Sequence, residues 1–275
     1  MSASQTTAQH EGRRAAFITG AGRGIGRAIA LALARDGYSI AAADLTLDGV
    51  AETVAAAGTG APLVCDVSDS KAVDRAIEQV VGEFGRLDVV VNNAAIVQPM
   101  RTEDVPDEAW MRELDVDQSG PFRVARAAFP HLRQSPAGAI VNVSSVAAHR
   151  GFPGRAAYTA AKASLEGLTR VLAVEWGGLG IRVNCVLPGF IQTEGSAAMA
   201  QAGRIDFRTR ASLTALGRLG TPNEVANTVA WLCSDAASYV TGAAIPVDGG
   251  YLAWGWTGPD PLFPANPSTE LELPS

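Results

Sequence analysis

Histidine and cysteine are scarce in this sequence, with three residues of each. The histidines (His10, His131 and His149) are scattered, with no ligand-type spacing, so no metal centre is expected. Cys65, Cys185 and Cys233 are odd in number, widely spaced and set among apolar neighbours. That pattern argues against a disulfide framework and for reduced core thiols in a cytoplasmic protein. No apolar run reaches the roughly 18 residues of a membrane span. The polar N-terminus lacks the apolar centre of a signal peptide. Lys and Arg (22) are outnumbered by Asp and Glu (28), a net charge of −6 that argues against nucleic acid as a partner. Charged residues make up only 18% and apolar ones 47%, so 275 residues can bury the core of one large α/β domain.

What is present alternates. Short β-branched or apolar runs read as strands at Ala15 to Thr19, Ser39 to Ala43, Pro62 to Cys65, Leu87 to Val91, Ala139 to Val143, Ile181 to Leu187 and Ala243 to Val247. Between them, helical spacing runs over 25–35, 50–57, 70–84, 107–132, 155–176 and 222–233, with Asp69 and Thr221 as N-caps. Gly120-Pro121 should bend the fourth of these helices. Strands alternating with helices predict a doubly wound sheet of about seven parallel strands, with helices on both faces. Residues 1–13 read as a polar extension, 14–252 as the folded domain with a mobile lid at about 190–215, and 253–275 as a Pro-rich tail carrying Trp254 and Trp256.

Ligands in such sheets bind beyond the carboxyl ends of the strands. Gly22, Asp44, Asp66, Asn92, Ser145 and Pro188 all fall at predicted strand ends. Gly20, Gly22, Gly24 and Gly26 lie between the first strand and the first helix, where a phosphate-binding turn needs close backbone approach and a helix N-terminus. Asp44 suits a hydrogen bond to a ribose 2′-hydroxyl and would repel a 2′-phosphate, which favours NAD over NADP. Arg23 pulls the other way. Asn92 is expected to pin a loop rather than touch a ligand.

Tyr158 and Lys162 are i and i+4 on the fifth helix and share a face. A fixed ammonium beside a phenol favours phenolate, which equips the phenol for proton transfer near neutral pH. Ser145, at the end of the preceding strand, can hydrogen-bond the same substrate oxygen. His149, Phe152, Val97 and Phe190 are candidates for the substrate side, and a cyclic or aryl-substituted alcohol is favoured over a sugar.

As a set, these motifs resemble the short-chain dehydrogenase/reductase family over roughly residues 14–252. The family's TGxxxGxG is Thr19-Gly20-Ala21-Gly22-Arg23-Gly24-Ile25-Gly26, its NNAG is Asn92-Asn93-Ala94-Ala95 with alanine last, and its YxxxK is Tyr158 to Lys162. The resemblance implies a single-domain Rossmann-type fold and a homotetramer. It also implies a cofactor site of Gly20, Gly22, Arg23, Gly24, Ile25, Gly26, Asp44, Asp66, Val67, Asn93, Tyr158, Lys162, Pro188, Gly189, Ile191 and Thr193. Tyr158 would be the general acid/base, Lys162 its electrostatic partner and ribose ligand, and Ser145 the holder of the substrate oxygen.

One departure stands out. Where the family has VNxxGxF, this chain has Val116-Asp117-Gln118-Ser119-Gly120-Pro121-Phe122. Asp117 should offset part of the pull of Lys162 on Tyr158 while keeping the proton relay. The expected activity is NAD-dependent interconversion of a secondary alcohol and its ketone. The alternatives are an NADP-dependent ketone reductase, or a non-catalytic redox sensor or scaffold on the same fold. Epimerases of related fold usually carry a substrate domain that this chain lacks.

Overall fold

The structure, a computed structural model, describes residues 12–255. Most of the polar extension and of the Pro-rich tail, Trp256 included, lies outside the described residues.

In chain order the elements are β1 (Ala15–Thr19), α1 (Gly24–Arg35), β2 (Ser39–Asp44), α2 (Leu47–Ala57), β3 (Ala61–Val64), α3 (Ser70–Phe84) and β4 (Val89–Asn92). Next come α4 (Asp107–Leu114), α5 (Gly120–Leu132), β5 (Ala139–Val143), α6 (Ala156–Gly177) and β6 (Arg182–Pro188). The last are α7 (Glu194–Gln201), α8 (Phe207–Ser212), α9 (Pro222–Cys233) and β7 (Ala244–Val247). All seven strands pair in parallel, in the order β3-β2-β1-β4-β5-β6-β7. The chain winds outward from β1 to β3, then returns to place β4 beside β1. That reversal opens a crevice at the carboxyl ends of β1 and β4.

The period of two along each strand assigns the two layers. Ala16, Ile18, Ile40 and Val91 pack with Ile29 and Leu33 of α1, Val50 of α2 and Val229 of α9. Phe17, Ala41, Val90 and Ile140 pack with Ile77 of α3, Val124 of α5 and Leu172 of α6. Both faces are therefore covered, which is why β1, β4 and β5 are apolar and buried along most of their length. No described helix is long and apolar enough to cross a membrane.

The expected bend is a five-residue π turn, Asp115–Ser119, between α4 and α5. Pro121 has no N–H to offer the carbonyl four residues back, that of Asp117, and its ring would crowd that carbonyl. A wider turn at this point relieves both, and the Gly120 N–H reaches back to the Asp115 carbonyl. Pro121 itself sits in the first turn of α5, where a missing donor costs little. The bend thus lies one turn ahead of the Gly-Pro pair and holds Asp117 at its centre.

At the amino edge of the sheet, fully buried Asp88 gathers β1, β4 and the end of α5. Its carboxylate accepts from Ala15 N (2.8 Å), Arg86 Nε (2.7 Å) and Ser135 Oγ (2.5 Å). Burial alone would raise this acid, but those donors outweigh it and hold it below its ordinary value. The three cysteines are buried free thiols. Burial pushes Cys65 up to about 11 and both Cys185 and Cys233 up to about 12.

Candidate active site

The glycine turn closes the crevice from one side. Gly20 and Gly24 have φ of +63° and +56°, a region in which side chains are strained. A Cβ on Gly26 would stand 2.1 Å from the Gly20 carbonyl oxygen and 2.5 Å from Asn93 Nδ2. Asn93 spends its amide on this turn, donating to the carbonyls of Thr19 and Gly20 at 3.0 Å each. Thr19 Oγ1 in turn accepts from the backbone N–H of Asn93 and Ala94. The start of α1 has no side-chain cap, so its first N–H groups stay open to an anion.

Asp44 is fixed at the end of β2. One carboxylate oxygen accepts from Gly22 N (3.0 Å) and the other from Leu45 N (2.8 Å). The cleft between these groups has a volume of about 320 Å³. Its lining includes Gly20, Arg23, Gly24, Ile25, Gly26, Asp44, Asp66, Val67, Asn93 and Thr193. Asp66 accepts from the N–H (2.9 Å) and hydroxyl (2.6 Å) of Ser68, with Arg112 of α4 at 3.5 Å. Burial works to raise Asp66, yet these partners leave it below its ordinary value. Arg112 was not foreseen from the sequence, since its approach depends on how α4 docks. A cradle without Cβ atoms, an uncapped helix start and an acid at the next strand end fit a dinucleotide.

At the carboxyl end of β5 the catalytic candidates converge. Lys162 is almost fully buried on α6, and its ammonium donates to the Val143 carbonyl at 3.0 Å. That ammonium lies 5.6 Å from the centroid of the Tyr158 ring and 3.7 Å from Asp117 Oδ2. The hydroxyl of Ser144 donates to the Lys162 carbonyl at 2.8 Å and ties α6 to the strand end. Ser145 Oγ accepts from Ala147 N at 3.1 Å, which keeps its own proton available to a ligand. Asp117 is fully buried. Its Oδ1 accepts from Ile96 N at 2.8 Å, and its Oδ2 has no hydrogen-bond partner. Burial raises this acid most, while Lys162 and the Ile96 N–H pull the other way without overcoming it. Below it a buried side-chain chain, Asn92 to Asn142 to Thr169, joins β4, β5 and α6 at 2.9 Å per link.

An aromatic wall brings together two of the substrate-side candidates, Phe152 and Phe190. Phe152, Phe190 and Tyr251 meet with ring centroids 5.0 to 6.4 Å apart. Tyr251 was not singled out in the sequence, although it follows the last strand as closely as the other site residues follow theirs. Arg155 lies 5.9 Å from the Tyr158 ring, and Arg210 of α8 lies 5.3 Å from the Phe190 ring. Burial lowers the Arg210 guanidinium, and repulsion from Arg155 adds to that. His149 turns elsewhere, with Nε2 paired to Glu166 of α6 at 2.7 Å. Val97 is part-exposed on the loop after β4.

Gly189 lies against Asp248, whose Cα would be 2.7 Å from an added Cβ, and Pro188 ends β6 beside Val247. Ile191 bridges to Gly220. Thr193 caps α7 in a reciprocal pair with Ser196, and its methyl would be 3.6 Å from a Cβ on Gly24. The segment after β6 therefore passes directly across the crevice from the glycine turn.

A family model described as enoyl-(acyl carrier protein) reductase matches residues 20–252. The chain is 38% identical over 240 residues to a protein named 3-oxoacyl-[acyl-carrier-protein] reductase FabG from Thermotoga maritima, covering 86% of this chain and 96% of that one. It is also 38% identical to a D-threitol dehydrogenase from Mycolicibacterium smegmatis, with 86% and 92% covered. A crystal structure of a short-chain type dehydrogenase/reductase from Mycobacterium marinum superposes with a TM-score of 0.80 at 35% identity, covering 86% of this chain and 95% of that one. With its sheet order, glycine turn and Tyr158/Lys162 helix, this chain belongs to the short-chain dehydrogenase/reductase family.

Proposed function

We propose that this protein is an NAD-dependent oxidoreductase that interconverts a secondary alcohol and its ketone. The observation that carries the reading is the convergence at the end of β5: a buried ammonium beside the Tyr158 ring, with Ser145 following the same strand. Tyr158 exchanges the hydroxyl proton of the substrate, and the Lys162 charge stabilises the phenolate as that proton leaves. Ser145 donates to the substrate oxygen and fixes its distance from the phenol. A nicotinamide dinucleotide, when bound, supplies the hydride chemistry. Gly20, Gly22, Gly24, Gly26 and the start of α1 would hold its pyrophosphate, and Asp44 its adenosine ribose. Asp66 and Val67 would flank the adenine. Pro188, Gly189, Ile191 and Thr193 would face the nicotinamide end.

NAD is favoured because Asp44 is an ionisable acceptor held at the cleft by two backbone N–H groups, so a 2′-phosphate would meet a fixed negative charge. Arg23 on the same cleft, and the acyl-carrier-protein reductases among the relatives, favour a second reading, an NADP-linked ketone reductase. On the substrate side the wall of Phe152, Phe190 and Tyr251 favours a cyclic or aryl-substituted substrate. Exposed Met111, Phe122, Val171 and Val174 on α4, α5 and α6 support a homotetramer, which sedimentation would test.

The test is a titration of the protein with NADH and NADPH, followed by nicotinamide fluorescence, and then an alcohol and ketone screen. Tighter NADH with turnover supports the first reading, and tighter NADPH supports the second. Binding without turnover of any alcohol or ketone supports a sensor or scaffold.

A further inference from the structure

The sequence leads to Asp117 but passes over Glu113, four residues earlier and one helical turn away. Glu113 is 4% exposed and Asp117 is fully buried, so both acids are shut off from water. Each has a buried oxygen without a hydrogen-bond partner, Glu113 Oε1 and Asp117 Oδ2. The charges facing them are few. From α6 come Lys162 and, at the helix start, Arg155. From the loop after β4 come the backbone N–H groups of Ile96 and Gln98. Lys162 stands 3.7 Å from Asp117 and gives its hydrogen bond to Val143 instead. Arg155 leans over the Tyr158 ring. At 3.7 Å the Lys162 ammonium is beyond ordinary hydrogen-bond distance of Asp117 Oδ2.

Two ionised carboxylates are acceptors only and cannot satisfy each other. Protonating one turns it into a donor, removes the like-charge repulsion and lowers the cost of burial. We infer that Glu113 and Asp117 hold one proton between them, so that Lys162 faces a single, shared negative charge. Glu113 is then a positioning residue. It draws charge away from Asp117 and leaves more of the Lys162 field to act on Tyr158. Burial raises both acids, and repulsion from Asp117 adds to the rise of Glu113, in keeping with a shared proton. The protons belong to the pair rather than to either residue.

This inference rests on the proposed role of Tyr158, but its test needs neither cofactor nor substrate. Tyrosinate absorbance is titrated in the wild type and in Glu113→Gln and Asp117→Asn, with Tyr158→Phe versions subtracted to isolate Tyr158. In E113Q the whole charge falls on Asp117, so the Tyr158 transition should move to higher pH, on the order of half a unit. In D117N the charge moves to Glu113, farther along the helix, and the transition should move to lower pH. Were both acids ionised in the wild type, E113Q would move the transition down, and that result overturns the proposal, as does no movement. Should E113Q fail to fold, infrared spectroscopy of the wild type near neutral pH decides. A protonated-carboxyl carbonyl band that vanishes in D117N supports the pair, and its absence overturns it. Failure of the proposed redox activity would show separately, as no turnover with this titration intact.

Discussion

Lys162 has three neighbours of different character: the Val143 carbonyl, the Tyr158 ring and the Asp117 carboxyl. If Tyr158 is the proton carrier, Tyr158→Phe should lower kcat roughly 100- to 10,000-fold while NADH affinity changes little. A loss of affinity comparable to the loss of rate would contradict that role. Asp44→Ala should weaken NADH at least about tenfold, the worth of one charge-assisted hydrogen bond. Fluorescence titration checks it, with NADPH expected to lose less. The strand-end position of Ser145 and the shared face of Tyr158 and Lys162 were legible because strand end and helical spacing are local properties. Glu113 was legible in principle, since i and i+4 share a face, but a lone Glu on a helix with polar neighbours gives no sign that the face is buried. The pairing of His149 with Glu166 was hidden for the same reason: it depends on where a loop folds back on α6.

Elements were easier to read than their joints. The bounds of α3 and α9 follow from their caps, the Asp69 carboxylate accepting from Lys71 N and Thr221 forming a reciprocal box with Glu224. The π turn was not legible as such, because Gly120-Pro121 announces a bend without saying which residues widen to make it. The glycine turn is the least tolerant joint. Gly26→Ala forces a methyl to 2.1 Å from the Gly20 carbonyl oxygen, and only backbone movement can relieve that clash. We expect it to abolish dinucleotide binding at concentrations saturating for the wild type, and to lower the Tm. At α9, Glu224 is held down to about 2 by Arg218 and the Thr221 N–H. Because both partners are exposed, Glu224→Ala should cost only about 0.5–1 kcal/mol, read from denaturant unfolding.

For the molecule as a whole, alternation of strands with helices was enough to give a parallel sheet covered on both faces. The strand order was not legible, since periodicity carries no information about which strands are neighbours. The network at the amino edge was missed, because Asp88 lies within an apolar run and reads as part of a strand. It gives the fold an acid limit. Asp88 is lowered in the fold, so its contribution is complete above the ordinary carboxylate value of about 3.9 and is lost as pH falls through its lower folded value. Thermal melts from neutral to acid pH should show the Tm falling in that window, and Asp88→Ala should flatten the fall. The same substitution should cost about 3 kcal/mol at neutral pH, because it strands Ala15 N, Ser135 Oγ and Arg86.

The three thiols, finally, make the protein its own reporter of opening. Cys65 follows the edge strand β3, Cys185 lies inside β6 and Cys233 ends α9. Each is buried and has almost no thiolate at neutral pH, so an alkylating reagent must wait for the surrounding structure to part. The order in which they label under mild denaturant reads out the order in which the sheet comes apart. Cys65 lines the dinucleotide cleft, so a saturating cofactor should slow its labelling more than that of Cys233. A clock built from side chains that do no chemistry would then time the binding of a ligand that one of them helps to wall in.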